Sequence, residues 1–509
     1  VAKADFRTSA TGIPGMEKQQ VVNKGRISMT LGLSAAMFLC LLSMATFVPQ
    51  ARADTASMPP AVQVVINGHR FPDSSYALLV QEVGAPQAEL SINADRALNP
   101  ASTMKVLTTL AALERLGPHY TWKTDVFALG TITDGTLNGD LLIRGGGDPF
   151  LVEEHLRNLL KTLQRRGVQR ITGELVMDAN LFAAEVSTGS TMDNQAGRAY
   201  NVLPHALMSN FQVVTFHFYP HSNGREVIIR ADPALPNLVI DNRLRQQAGA
   251  CTGFQRGVSF SEERNRNTVV FSGNFPSACS EYSMARAVLD VPQYTYGLFR
   301  QLWRELGGEF DGGFRLAGNA EMDYTTMTAL VRHESPPLGD VIKSVNKFSN
   351  NMMTRHLLLS LALQHADGPA TVGAGVAAIV DYLQSVGIDP AGLHIDNGSG
   401  LSREARLSAS QLAAILQRAY RIPNMPEFMA SLPLSGLDGT MQSRLTNADT
   451  RGRVHVKTGS LSGVASIAGY VHAHSGRRFI VVAMVNHPGS DTGPGQELGD
   501  ALMRWALGL

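Results

Sequence analysis

Three short polar motifs constrain this chain more than any other feature. Ser102-Thr103-Met104-Lys105, Ser349-Asn350-Asn351 and Lys457-Thr458-Gly459-Ser460 each carry side chains able to do chemistry, and Ser349 lies 247 positions after Ser102. If the three meet in one site, most of that interval must be inserted into a single catalytic domain.

Each motif has a physical reading. Ser102 and Lys105 are three apart, so on one helical turn they point the same way, and a hydroxyl at a helix N-terminus sits where negative charge is favoured. The lysine can take the serine proton only if it is neutral, which requires burial and a nearby cation. Taken alone the pair reads as a helix-capping serine and a solvated lysine. Ser349 and Asn351 add a hydroxyl able to relay a proton and an amide able to hold a substrate amide. Lys457 and Thr458 can hold a carboxylate by charge and hydrogen bond, and Gly459 removes the side chain that would block approach.

The surrounding pattern predicts alternating strands at Val62–Ile66 and Tyr76–Val83, after a proline-containing linker at 58–60. A helix runs from Ser102 until Gly117-Pro118 stops it. Strands follow from Trp122 to Ile143, then a turn at Gly145-Gly146-Gly147-Asp148-Pro149, a basic amphipathic helix at Leu151–Arg166 and a strand near Ile171–Met177. Short strands dominate from there to about Gly318. Helices return at Val341–Ser344, Asn350–Gln364 and Val372–Val386. The chain closes with strands at Arg453–Thr458, Ala465–His472 and Phe479–Asn486 and a helix at Gln496–Leu507. The expected partition is residues 1–53 as upstream extension and signal peptide, 54–121 and 336–509 as two parts of one catalytic domain, and 122–335 as one or two inserted mixed domains.

At the N-terminus, Lys18, Lys24 and Arg26 precede an apolar run from Leu31 to Val48, and Ala51-Arg52-Ala53 follows as a small-x-small cleavage site. That is the layout of a secretory signal peptide, with an uncleaved membrane anchor as the rival reading. Cys40 lies inside the run without the small residue a lipoprotein signal wants before its cysteine. The residues before Met16 read as an extension, and the expected location is periplasmic or exported after cleavage near Ala53. Export allows Cys251 and Cys279 to pair; the alternative is two buried free thiols.

Lys plus Arg (44) balances Asp plus Glu (43), so no global field draws in nucleic acid. The glycine-rich turn lacks the residues of a phosphate loop or a dinucleotide fingerprint, and no G-x-S-x-G elbow anchors a Ser-His-Asp hydrolase. His472 and His474, like His217 and His221, lack further ligands at metal-site spacing. Neither metal nor cofactor is expected.

In this order the three motifs form the S-x-x-K, S-x-N, K-T-G set. The chain resembles the class C low-molecular-mass penicillin-binding proteins, the penicillin-binding protein 4 type D-alanyl-D-alanine carboxypeptidase/endopeptidases. Matching phrases are Asn99 to Lys105, Gly139 to Pro149, Asn397 to Arg403 and Leu432 to Met441; Tyr200-Asn201-Val202-Leu203-Pro204 departs from the aromatic-rich stretch usual there. The resemblance implies an α/β (α+β) fold: a penicillin-recognising serine transpeptidase-like catalytic domain, its antiparallel sheet flanked by helices, with small mixed domains inserted between S-x-x-K and S-x-N. It implies acyl transfer on peptidoglycan stem peptides and cross-links, with β-lactam antibiotics as inhibitors. Ser102 would attack, Lys105 accept its proton, Ser349 pass a proton to the leaving amine and Asn351 bind the acyl side's amide. Lys457 would depress the Lys105 pKa, Thr458 hold the carboxylate, and the Ser102 and Ser460 N–H groups form an oxyanion hole. A same-fold serine β-lactamase and a non-catalytic peptidoglycan- or β-lactam-binding module are the rivals. The sequence leaves carboxypeptidase against endopeptidase preference and oligomeric state open.

Overall fold

An apolar run near the C-terminus becomes the middle of a sheet. In a computed structural model of the chain, the described residues are 58–184, 193, 195, 197–253, 258–263, 267–318, 323–365 and 367–509. The signal-peptide reading, Cys40 included, falls outside them. Five strands lie in the order Val454–Leu461, Val464–His472, Arg478–Asn486, Tyr76–Glu82, Ala88–Ile92, all antiparallel. Along Arg478–Asn486, Ile480, Val482 and Met484 enter one core while Phe479, Val481, Ala483 and Val485 enter another. Alternate side chains leave opposite faces of a strand, so this one is apolar throughout because both faces are covered.

One face packs against helices Pro60–His69 and Pro494–Leu507, through Val62, Val65, Ile66, Leu498 and Leu502. The other packs against helices Met104–Leu116, Asn351–Ala362, Val372–Ser385 and Ala409–Arg421. The expected strand at Val62–Ile66 is thus a helix. Val62, Val65 and Ile66 are buried while Val64 is 69% exposed, a three-and-four spacing that only a helix satisfies. Pro60, read as linker, occupies the helix's first turn, where its missing N–H costs nothing.

Three further helices went unread, Met425–Ser431 the shortest of them. Val291–Glu305 buries Tyr294, Leu298, Phe299, Leu302 and Trp303 on one face, and Ala409–Arg421 opens on a reciprocal Ser408–Gln411 capping box.

Between residues 123 and 334, strands Glu309–Phe310, Arg170–Ile171, Thr136–Arg144, Lys123–Thr133 and Val331–Glu334 lie side by side, with Leu175–Asp178 and Phe314–Leu316 completing a seven-stranded sheet. Helices Glu153–Arg165 and Val291–Glu305 share its core. Two three-stranded sheets follow: Val239–Gln247, Thr268–Pro276 and Val258–Glu263, then Tyr282–Arg286, Val214–Pro220 and Val227–Asp232. Cys251 and Cys279 are joined by a disulfide. The chain enters and leaves this region at one point. Lys123 pairs with Glu334, and the Trp122 and Ser335 N–H groups donate to Ser335 Oγ and the Trp122 carbonyl at 3.0 Å each.

Candidate active site

The nucleophile candidate sits where a strained turn becomes a helix. Ser102 lies in a 3-10 turn, Ala101–Thr103, one step ahead of the helix that begins at Met104, rather than on the first helical turn itself. Ala101 takes a φ of 44°, unusual for a residue with a Cβ. The turn is held by its surroundings: Asn99 Oδ1 accepts from the Ala101 N–H at 2.9 Å, and Ser466 Oγ donates to the Pro100 carbonyl at 2.6 Å. Gly459 lets the edge strand Val454–Leu461 come alongside, because a Cβ there would lie 2.2 Å from Ser466 Oγ and 2.9 Å from Ser102 N. Gly400, at a φ of 76°, serves the other side: its Cβ would sit 1.8 Å from the Ala101 carbonyl oxygen.

Lys105, fully buried, reaches back to Ser102. Its Nζ lies 3.1 Å from Ser102 Oγ, 2.7 Å from Asn351 Oδ1 and 2.6 Å from the Ser399 carbonyl oxygen. Burial holds its pKa well below the ordinary lysine range, and the charges of Lys457 and then Arg355 push the same way. A neutral amine has two N–H donors and one lone pair. The two shorter contacts, to obligate acceptors, take both donors and leave the lone pair facing the Ser102 hydroxyl. The arrangement can therefore pull a proton from Ser102.

Lys457, also fully buried, donates to Ser349 Oγ at 2.9 Å and to the Thr458 carbonyl at 2.7 Å, and burial pushes its pKa down to about 7. Ser349 holds a left-handed φ of 55°, a strained state for serine. It directly precedes Asn350, whose side chain caps helix Asn351–Ala362 by accepting from the Met353 N–H at 3.0 Å. Of the KTG residues, Thr458 is half-buried, Gly459 is buried against the Ser102 backbone, and Ser460 is exposed on the outer strand of the sheet.

The structure thus places Ser102, Lys105 and Asn351 in one hydrogen-bonded group and Ser349 and Lys457 in a second, with Gly459 beside the first. Residues that sequence reasoning passed over complete the site. Ser399 supplies its carbonyl, Thr440 Oγ1 accepts from Thr458 Oγ1 at 2.7 Å, and Arg355, one helical turn after Asn351, adds a largely buried cation pushed down to about 10 by burial. Asn351 Nδ2 and Arg355 donate in parallel to the carbonyls of Tyr200 and Val202 at 3.2 and 3.1 Å, which fastens a segment of the inserted region to the catalytic helix. Ser399 and Thr440 lie in phrases already noted as matching, Asn397–Arg403 and Leu432–Met441; Arg355 was signalled by its spacing from Asn351.

Residues 60–507 match the D-Ala-D-Ala carboxypeptidase 3 (S13) family. The D-alanyl-D-alanine carboxypeptidase of Actinomadura sp. is 28% identical over 403 residues, 77% of this chain and 74% of that relative. D-alanyl-D-alanine carboxypeptidase DacB of Haemophilus influenzae is 26% identical over 416 residues, 81% and 85% respectively. The crystal structure of penicillin binding protein 4 (dacB) from Haemophilus influenzae superposes with a TM-score of 0.75 at 24% identity, covering 88% of this chain and all of that one, and so shares the fold.

Proposed function

The chain belongs to the D-Ala-D-Ala carboxypeptidase 3 (S13) family and is a serine peptidase of D-alanyl-D-alanine peptides; from that premise we propose that it hydrolyses peptidoglycan stem peptides or their cross-links through an acyl-enzyme on Ser102. The observation that carries this reading is the buried Lys105 amine, 3.1 Å from Ser102 Oγ with its two donors engaged elsewhere. Lys105 takes the Ser102 proton as Oγ attacks the carbonyl carbon of the D-alanyl bond. Ser349 delivers a proton to the departing D-amino group, with Lys457 behind it. Asn351 fixes Lys105 and binds the amide on the acyl side. Thr458, oriented by Thr440, and Lys457 hold the substrate carboxylate, and the N–H groups of Ser102 and Ser460 receive the developing oxyanion; one such donor is worth about 3–4 kcal/mol in a transition state. Water then releases the acyl group. A β-lactam enters by the same attack and stays bound.

The partition into 54–121, 122–335 and 336–509 is part of the reading, supported by the strand pair that brings Lys123 beside Glu334. So is a periplasmic location, supported by the signal-like N-terminal sequence and by the disulfide between Cys251 and Cys279. Among the described residues no helix is long and apolar enough to cross a membrane.

Mass spectrometry tests the assignment. Wild type given a D-Ala-D-Ala pentapeptide and cross-linked muropeptides should release D-Ala or monomers, and Ser102→Ala should release neither; product from the variant sinks the Ser102 assignment. With a chromogenic β-lactam one stoichiometric burst is expected, whereas many turnovers would make the protein a β-lactamase.

A further inference from the structure

A cavity of about 600 Å3 opens in the inserted region beside Tyr200, lined by Arg198, Arg286, Phe260, Glu262, Tyr282 and Met284 among others. Its two guanidiniums are poorly matched to what surrounds them. Arg198 donates through Nε to Gln195 Oε1 at 3.0 Å, and Arg286 donates through Nη1 to the adjoining Ala285 carbonyl at 2.8 Å. Each group carries five N–H donors, and among the described residues neither is paired with a carboxylate. Burial depresses the Arg286 guanidinium, and the next contribution in size is the repelling charge of Arg198. One face of Arg286 lies over the Phe260 ring at 5.4 Å, which leaves its edge free for an acceptor.

The cavity adjoins the catalytic helix through a short path. Asn351 Nδ2 holds the Tyr200 carbonyl at 3.2 Å, and the two residues from Tyr200 back to Arg198 span at most about 7 Å. An extended peptide whose acyl end lies at Asn351 covers that path in two to three residues.

We propose that Arg198 and Arg286 form a subsite for a free carboxylate on the acyl side of the substrate, at least two residues upstream of the D-alanine that acylates Ser102. The α-carboxylate of a γ-linked glutamyl residue has this chemistry and position. A planar carboxylate bridging two guanidinium forks replaces a repulsion by charge-assisted hydrogen bonds, while Phe260, Tyr282 and Met284 cover the aliphatic part of the chain. The inference rests on the Ser102 acyl-enzyme reading.

The test compares two synthetic stem peptides ending in D-Ala-D-Ala, one with that upstream carboxylate free and one with it amidated. For wild type kcat/KM should favour the free acid about tenfold or more, as charged hydrogen bonds of ordinary strength require. In Arg198→Gln/Arg286→Gln the ratio should fall toward one, and in Arg286→Lys, which keeps the charge but loses the fork, part of it should return; thermal melting establishes that each variant is folded. Equal rates for acid and amide in wild type overturn the subsite with no variant needed, and so does a ratio that survives the double substitution. If wild type cleaves neither peptide and forms no Ser102 adduct, the acyl-enzyme reading falls and the subsite with it, an outcome distinct from cleavage without discrimination.

Discussion

Two regions of this molecule set cation against cation, and they differ in whether the repulsion can be relieved by losing a proton. Beside Ser102, Lys105 faces Lys457 and Arg355 in a buried setting. A lysine can answer by giving up its proton, and it thereby becomes a base. In the inserted region Arg198 faces Arg286. A guanidinium keeps its charge at any working pH, so the same repulsion is relieved only by an incoming anion. On the proposed readings, one electrostatic device serves as a catalyst in one place and a receptor in the other.

Breaking the first half of that contrast should have the largest effect. Lys105→Arg puts a permanent charge where the neutral amine sits, and acylation by a β-lactam or a peptide should drop by about a thousandfold or more; stopped-flow acylation near wild-type rates would show that Lys105 is not the base. Arg355→Gln sharpens the point with less damage. Removing that charge lets the Lys105 pKa rise, so the acid limb of the kcat/KM profile should move to higher pH, and Arg355→Lys should move it back. A structural role alone would lower kcat/KM with the limb in place.

Lys457 gives a stability signature of the same burial. In the unfolded chain it is protonated below its ordinary value of 10.5, and in the folded chain it is neutral above about 7. Between these values the unfolded state holds the extra proton, so wild type gains stability as pH rises through that window, and below pH 7 the full penalty is present. Lys457→Met should therefore melt higher than wild type at pH 7, by on the order of a few kcal/mol, with the advantage shrinking toward pH 10 while activity is lost. A pH-independent difference would place the effect elsewhere. The smallest effect is expected of Thr440→Ala, which removes the acceptor orienting Thr458. KM for a carboxylate-ended peptide should rise about threefold to tenfold with kcat nearly unchanged.

The sequence was most legible where chemistry needs side chains in fixed order. Ser102, Lys105, Ser349, Asn351 and Lys457 were named from motif spacing, and the C-terminal strands from short apolar runs bounded by turns, because a strand buried on both faces reads as an unbroken apolar run. Groups that act through the backbone or from the far side of a loop were not legible. The Ser399 carbonyl holding Lys105 carries no side-chain signal, and Thr440 matters only because a 3-10 turn, Gly439–Met441, brings it to Thr458. The Val62–Ile66 error has a local cause: Val65 and Ile66 pack together on one face, and in so short a run the exposed Val64 reads as one more core residue. Helix Val291–Glu305 was lost among neighbours rich in β-branched and aromatic residues, whose propensity outweighed its three-and-four spacing.

The strand pair at Lys123 and Glu334 has a consequence for how such a chain can change over time. Because the inserted region leaves and rejoins the catalytic part through hydrogen-bonded neighbours, the two chain crossings form one doorway of fixed width, whatever lies beyond. The entropy of closing a loop grows only with the logarithm of its length, about 0.6 kcal/mol per doubling. Insertions or losses past the doorway thus cost the catalytic fold little, and what disciplines them is a set of further fastenings: Tyr200 and Val202 must still meet Asn351 and Arg355, Phe182 must bridge to Ala370, and the Gly147 carbonyl must reach His356.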